Sequence, residues 1–121
     1  MWPARLSGKQ RQGQEWEQVA LRYLQRHGLT LVEANFQCQC GEIDLILRDG
    51  EALVFVEVRH RTSRTHGGAA ASITPAKIRR VVHAAQFYLL RYRRLPPCRI
   101  DVVAIDGDAI DWLRDAIQAP P

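Results

Sequence analysis

Asp44 and Glu57 stand in two apolar, β-branched runs, Gly41-Glu42-Ile43-Asp44-Leu45-Ile46-Leu47-Arg48 and Glu51-Ala52-Leu53-Val54-Phe55-Val56-Glu57-Val58-Arg59, joined by Asp49-Gly50. Asp-Gly between two such runs is a strong hairpin signal, because the favoured tight turn needs positive φ at its centre. A two-residue loop at Asp49-Gly50 sets Arg48 against Glu51, Leu47 against Ala52, Leu45 against Val54 and Ile43 against Val56. That face is wholly apolar. Alternation gathers Glu42, Asp44 and Ile46 with Leu53, Phe55, Glu57 and Arg59 on the other face. Leu53 and Phe55 imply that this second face is also covered, so its acids are partly buried and need a partner. A loop of odd length would flip one strand and separate Asp44 from Glu57.

Two partners suit these carboxylates. Magnesium takes oxygen ligands and keeps several waters, so two or three carboxylates suffice to hold it. Bound there, it would polarise a phosphodiester and lower the pKa of an attacking water, while Arg59 points the same way toward a phosphate. The alternative is a buried salt-bridge network of Asp44 and Glu57 with Arg59, which satisfies the acids without metal.

The elements that must position these groups are readable on either side. Trp16, Val19, Ala20, Tyr23 and Leu24 recur at helical spacing from Gly13 to His27, with Gly28 as a C′ cap. On this helix Glu17 flanks the apolar stripe; it either pairs with a neighbouring arginine or points at the acidic face of the hairpin. Leu29 to Phe36 reads as a first strand, antiparallel to the next, with Gln37 to Cys40 as the turn. After Arg59 a basic, glycine-containing stretch, His60 to Ser72, reads as a loop long enough to suggest function, its Arg61 and Arg64 either meeting phosphates or simply solvated.

Thr74-Pro75 starts a second helix, Thr as N-cap and Pro at the first helical position, with an apolar face of Ile78, Val81, Val82, Ala85, Tyr88, Leu89 and Tyr92 that ends near Arg91 to Arg94. Its other surface is basic, with Lys77, Arg79 and Arg80 at the start. A cation at Lys77 opposes the helix dipole, so another interaction must hold it there. Cys98 to Ile105 is nearly all apolar, the pattern of an interior strand, interrupted by Asp101 as a structural partner for an arginine. Asp106-Gly107-Asp108 turns the chain into a short edge strand, Ala109 to Leu113.

The 121 residues suit one domain, large enough to bury roughly two thirds of its unfolded surface. Residues 1–12 read as a loosely ordered basic N-terminus, 13–116 as the domain and 117–121 as a frayed end. Seventeen Lys and Arg against thirteen Asp and Glu give +4, and fifteen of the seventeen are Arg, which suits phosphate contact as well as a biased composition. Three cysteines, Cys38, Cys40 and Cys98, with no secretory signal, fit reduced thiols in a soluble cytoplasmic protein. Cys38-x-Cys40 lacks a second ligand pair at zinc spacing.

Gly41-Glu42-Ile43-Asp44-Leu45-Ile46, Val54-Phe55-Val56-Glu57-Val58-Arg59 and Thr74-Pro75-Ala76-Lys77 together closely resemble the bacterial YraN family of endonuclease-like proteins. The resemblance implies a restriction-endonuclease-like α/β fold, an α-β-β-β-α-β core with a mixed sheet flanked by helices, similar to Holliday-junction resolvases. It further implies that Asp44 is the aspartate of a PD-(D/E)xK motif, with Ile43 in the place of its proline, and that Glu57 is the next acidic ligand. Glu17 resembles the helix-one glutamate that completes the metal shell. The implied metal set is Glu17, Asp44, Glu57 and Val58, holding magnesium or manganese; Asp44, Glu57, Arg59 and Lys77 are the implied catalytic groups. Arg59, Arg61, Arg64, Lys77 and Arg80 would meet DNA, and a homodimer follows by analogy.

Arg59 departs from the lysine expected in its slot, and arginine is a poor proton shuttle. Either Arg59 acts only electrostatically, or Lys77 supplies the amine, or the protein binds without cutting. The expectations are therefore a metal-dependent nuclease on DNA, or a non-catalytic nucleic-acid-binding protein with a structural acid and arginine network. A scaffold that recruits a partner through the second helix stands behind both.

Overall fold

A computed structural model describes residues 8–61 and 68–118, with side chains from residue 15 onward. The order is α1 (Gly8–Arg26), β1 (Thr30–Cys38), β2 (Gly41–Asp49), β3 (Ala52–Arg61), a short 3-10 turn at Ala70–Ser72, α2 (Pro75–Leu89), β4 (Cys98–Asp106) and β5 (Ala109–Ile117). The five strands form one mixed sheet in the order β1-β2-β3-β4-β5. Only β3 and β4 are parallel, and the α2 crossover joins them as a parallel pair requires.

Alternation along β3 sorts the core into two layers. Val54 and Val56 face α1, packing with Leu45, Leu47, Val103 and Ile105 against Ala20, Leu21 and Leu24. Leu53 and Phe55 face α2, packing with Ile46, Ile100 and Val102 against Val81, Val82, Ala85 and Tyr88. The fold is thus α/β in three layers, and its mixed sheet flanked by helices is the architecture the resemblance implied. No helix among the described residues is long and apolar enough to cross a membrane.

Four boundaries differ from the sequence reading. Helix α1 begins at Gly8, inside the stretch expected to be loose, because a polar run without apolar period gives no start signal. Strand β1 runs on to Cys38, leaving only two residues to turn. Helix α2 stops at Leu89: Leu90, Arg91 and Tyr92 donate instead to Phe87, Tyr88 and Leu89 three residues back, the tighter bonding that ends helices. Strand β5 extends to Ile117.

The hairpin register also differs. Leu45 pairs with Val56, Leu47 with Val54 and Asp49 with Ala52, so the turn is Gly50-Glu51 rather than Asp49-Gly50. Gly50 takes the positive φ of 62° at the first central position, and Asp49 stays in the strand, where its carboxylate accepts from Arg99 Nη2 at 2.9 Å. The loop is still two residues long, so the face of every paired residue is kept. Beyond the last pair, Ile43 leaves its expected face and joins the α2 layer beside its β1 partner Phe36.

Candidate functional site

Pairing between β2 and β3 stops at Leu45 and Val56, while β3 continues beside β4 to Arg61. The first backbone donor past the split, Val58 N–H, goes to Asp44 Oδ2 at 2.8 Å. Asp44 thereby substitutes for the missing strand and is fixed at the mouth of the splay. Glu57 lies beside it, 2% exposed, and the two carboxyls share a hydrogen bond. Helix α1 brings Glu17 to the same cluster, half-buried, within the electrostatic reach of Asp44 and Glu42.

Helix α2 supplies the cation. Thr74 caps it by accepting from Lys77 N–H at 3.1 Å, and Pro75 fixes its first turn. Lys77 Nζ then stands 3.1 Å from Glu42 Oε1 and 3.8 Å from Glu57 Oε1. This acidic cage is the interaction that offsets the unfavourable end of the helix dipole. Arg80 reaches the same Glu42 oxygen at 3.7 Å.

Arg59 is committed elsewhere. Its Nε and Nη2 donate to Ser72 Oγ and the Ser72 carbonyl, both at 3.2 Å, and its Nη1 is 3.6 Å from Glu57 Oε2. Ser72 in turn donates to the Ala69 carbonyl, and Ala69 N–H donates to Asp106 Oδ1 at 2.7 Å. The guanidinium therefore ties down the segment that leads into Thr74 and Lys77, and it touches the acid cluster with one edge only.

Electrostatically the cluster is short of positive charge. Burial, then the Asp44 charge, push Glu57 up to about 8, against the pull of Lys77 and Arg59. Burial, then Asp44 and Glu42, push Glu17 up to about 7. Asp44 is also raised by burial, although the Val58 N–H, Lys77 and the Glu57 hydrogen bond oppose this. The shared hydrogen bond favours a proton on Glu57 and a charge on Asp44. Glu57 Oε1 is buried without a hydrogen-bond partner, the kind of orphan that burial normally penalises.

Of the expected site residues, Glu17, Asp44, Glu57, Arg59 and Lys77 come together. Val58 enters through its N–H to Asp44. Arg61 is exposed at the end of β3, Arg80 is exposed on α2, and Arg64 lies outside the described residues. Glu42 was placed on the acid face but not in the site, yet it is the nearest partner of Lys77. Ser72 and Asp106 were also missed; the small-residue run Gly67 to Ser72 was the available signal, since small residues let a segment lie close over a sheet end.

The donors are hard carboxylate oxygens, several of them, with an excess of negative charge, which is the chemistry of a magnesium or manganese site. Among the described residues no three of His, Cys, Asp or Glu are grouped so that they could hold a metal ion as they stand. Lys77 lies between Glu42 and Glu57 instead.

A mixed α/β sheet whose strands splay around buried carboxylates, with a lysine brought in by the crossover helix, defines an α/β protein with a candidate acidic site at one sheet end. Residues 16–105 match the model of the uncharacterised protein family UPF0102, and the chain belongs to that family. It is 55% identical over 107 residues to the UPF0102 protein HEAR0176 of Herminiimonas arsenicoxydans, covering 88% of this chain and 86% of that relative. A UPF0102 protein of Janthinobacterium sp. (strain Marseille) is 56% identical over 113 residues, covering 93% and 92%. One from Cupriavidus metallidurans is 58% identical over 118 residues, covering 96% and 88%.

Proposed function

We propose that this chain is a magnesium- or manganese-dependent nuclease of the restriction-endonuclease-like, PD-(D/E)xK class to which the YraN resemblance points, hydrolysing phosphodiester bonds in DNA in the cytoplasm, as a homodimer. The observation that carries the reading is Glu57: buried, hydrogen-bonded to a second acid, raised to about 8, and left with an orphan oxygen although Lys77 stands 3.8 Å away. A merely structural acid has no reason to remain so poorly compensated.

Glu17, Asp44 and Glu57 would hold the divalent ion, with the Val58 backbone beside them. When bound, the ion supplies Lewis-acid polarisation of the phosphate and a more acidic water. The residues of this chain do the rest. Asp44 is oriented by the Val58 N–H, so its second oxygen has one defined direction. Lys77, an amine whose position the Thr74 cap fixes, is placed to neutralise charge developing on the phosphate. Arg59 acts as a positioning residue through Ser72, which accounts for an arginine in a slot where proton transfer would ask for lysine. Arg61 and Arg80, both exposed, extend the positive surface along which a DNA backbone would lie.

The second reading, a nucleic-acid-binding protein without catalysis, is favoured by the ion pairs of Glu57 with Arg59 and of Glu42 with Lys77, which partly neutralise the acids. Cleavage of labelled single-stranded, duplex and four-way-junction DNA separates the two. Metal-dependent cutting by the wild type, lost in Asp44→Asn and Glu57→Gln, is the expected result. Equal DNA binding by all three proteins with no cutting would leave the binding reading in its place.

A further inference from the structure

Cys38 closes β1, and Cys40 is the second residue of the two-residue turn before β2. Their sulfurs lie 2.8 Å apart as free thiols, and Cys38 also donates to the Gly41 carbonyl at 3.5 Å. Both are half-buried, and a cavity of about 290 Å³ lined by Cys38, Gln39, Cys40 and Phe87 leaves room for a small oxidant beside them. The third thiol, Cys98, is exposed at the start of β4, another element, and serves as an internal control.

We infer that Cys38 and Cys40 form a dithiol–disulfide modification site whose closure by a small disulfide such as oxidised glutathione reshapes the turn that delivers Glu42 to the acidic cluster. One thiolate attacks a glutathione sulfur and expels a glutathione thiolate. The second attacks the resulting mixed disulfide at the protein sulfur and expels the other. Two protein thiols and one glutathione disulfide become one protein disulfide and two glutathione thiols, so two electrons pass to glutathione and the protons follow its sulfurs.

Three observations support a switch rather than a staple. The ring closed by one intervening residue removes little unfolded-state entropy, so this bond contributes little stability and is easily reduced. Sharing a hydrogen bond with Cys38 pushes the Cys40 thiol up, which keeps Cys40 slow to react at rest. The turn also has no slack toward α2: a Cβ on Gly41 would lie 2.0 Å from the Arg80 carbonyl oxygen. A change at Cys40 is therefore transmitted to Gly41 and on to Glu42, whose carboxylate meets Lys77 and Arg80.

The test is equilibration of the full chain, in wild type and in Cys98→Ser, with mixtures of oxidised and reduced glutathione, followed by tryptic mass spectrometry. Cleavage at Arg26 and Arg48 yields one peptide holding Cys38 and Cys40 and no other cysteine. The expected result is loss of two hydrogen atoms from that peptide, reversed by reductant, and a glutathione adduct on Cys40 when Cys38→Ser removes its partner. Separate adducts on both cysteines of the wild type, or a reduced peptide where Cys98 is already modified, would overturn the site. Hydrogen exchange severalfold faster across residues 41–44 in the oxidised protein is expected; unchanged exchange there would overturn the link to Glu42. Neither readout depends on metal binding or cleavage.

Discussion

The same sheet buries two acids, and it treats them in opposite ways. Asp101 on β4 is fully enclosed and fully answered: Arg99 Nε donates to both of its oxygens at 3.0 and 3.1 Å, Trp112 Nε1 donates at 2.9 Å and Asp115 N–H at 2.8 Å. Strand β5 bends to make this possible. The β4–β5 register shifts between Ile100 and Val102, and Asp115 takes a φ of 52° so that its N–H reaches inward. Glu57 on β3 is as deeply buried, and no backbone bends to serve it. Its partners are a second acid and two cations beyond hydrogen-bonding distance. Where the fold needs a buried charge it builds donors around it; at the splay of β2 and β3 it leaves a carboxylate wanting one.

Substitutions break that contrast with effects of decreasing size. Asp101→Ala leaves Arg99 with Asp49 as its remaining carboxylate partner and leaves the Trp112 and Asp115 N–H donors unanswered, and should cost roughly 3–5 kcal/mol in chemical denaturation. A cost under about 1 kcal/mol would remove Asp101 from its structural role. Glu57→Gln should behave differently, because it replaces an acid that the folded protein holds protonated. The folded pKa of about 8 lies above the ordinary 4.5, so the native state binds the extra proton between those values. Wild-type stability is therefore full below pH 4.5 and falls as pH rises toward 8, by up to about 1.4 kcal/mol per pH unit for this one group. Melting followed across that range should show Glu57→Gln losing this slope and gaining on the wild type at alkaline pH. A wild type that gains stability over the same interval relative to the variant would contradict the sign.

Two smaller changes probe how the site is held. Gly41→Ala drives a methyl into the Arg80 carbonyl and should cost about 1–3 kcal/mol, since neither backbone can yield freely. Thr74→Ala removes the cap that sets Lys77 and should cost about 1 kcal/mol in stability. If Lys77 matters to the proposed chemistry, the same variant should lose more activity than stability, and cleavage rate measured well below the melting temperature reads that difference.

Much of this contrast was legible before any coordinates. Asp101 could be assigned to an arginine because a single acid in an apolar strand must be answered from within. Glu57 and Arg59 could be placed on one face by period two, and that placement survived a wrong turn because the strands slipped past each other by two residues, which keeps parity. Asp44 lies past the last pair, where alternation breaks between Ile43 and Ile46, and it is held beside Glu57 by the Val58 N–H instead. The turn itself could not be read: Asp49 remains in the strand on account of Arg99, fifty residues away, and local turn preference carries no trace of such a partner. The same limit hid Glu42. Its value depends on Lys77, and only the packing of α2 across β2 brings the two together. Ser72 escaped notice because a serine in a loop of small residues gives no sign that a guanidinium will fasten to it.

The proposed function requires that the acids around Glu57, only partly neutralised by Lys77 and Arg59, bind a divalent cation. Calorimetric titration of manganese into the wild type, Asp44→Asn and Glu57→Gln, in two buffers of different ionisation enthalpy at pH 7, tests it without reference to any substrate. The account predicts binding by the wild type with release of a proton, since ligands must ionise to coordinate, and loss of both binding and proton release in the two variants. Absence of binding in the wild type, or equal binding by all three proteins, would contradict it.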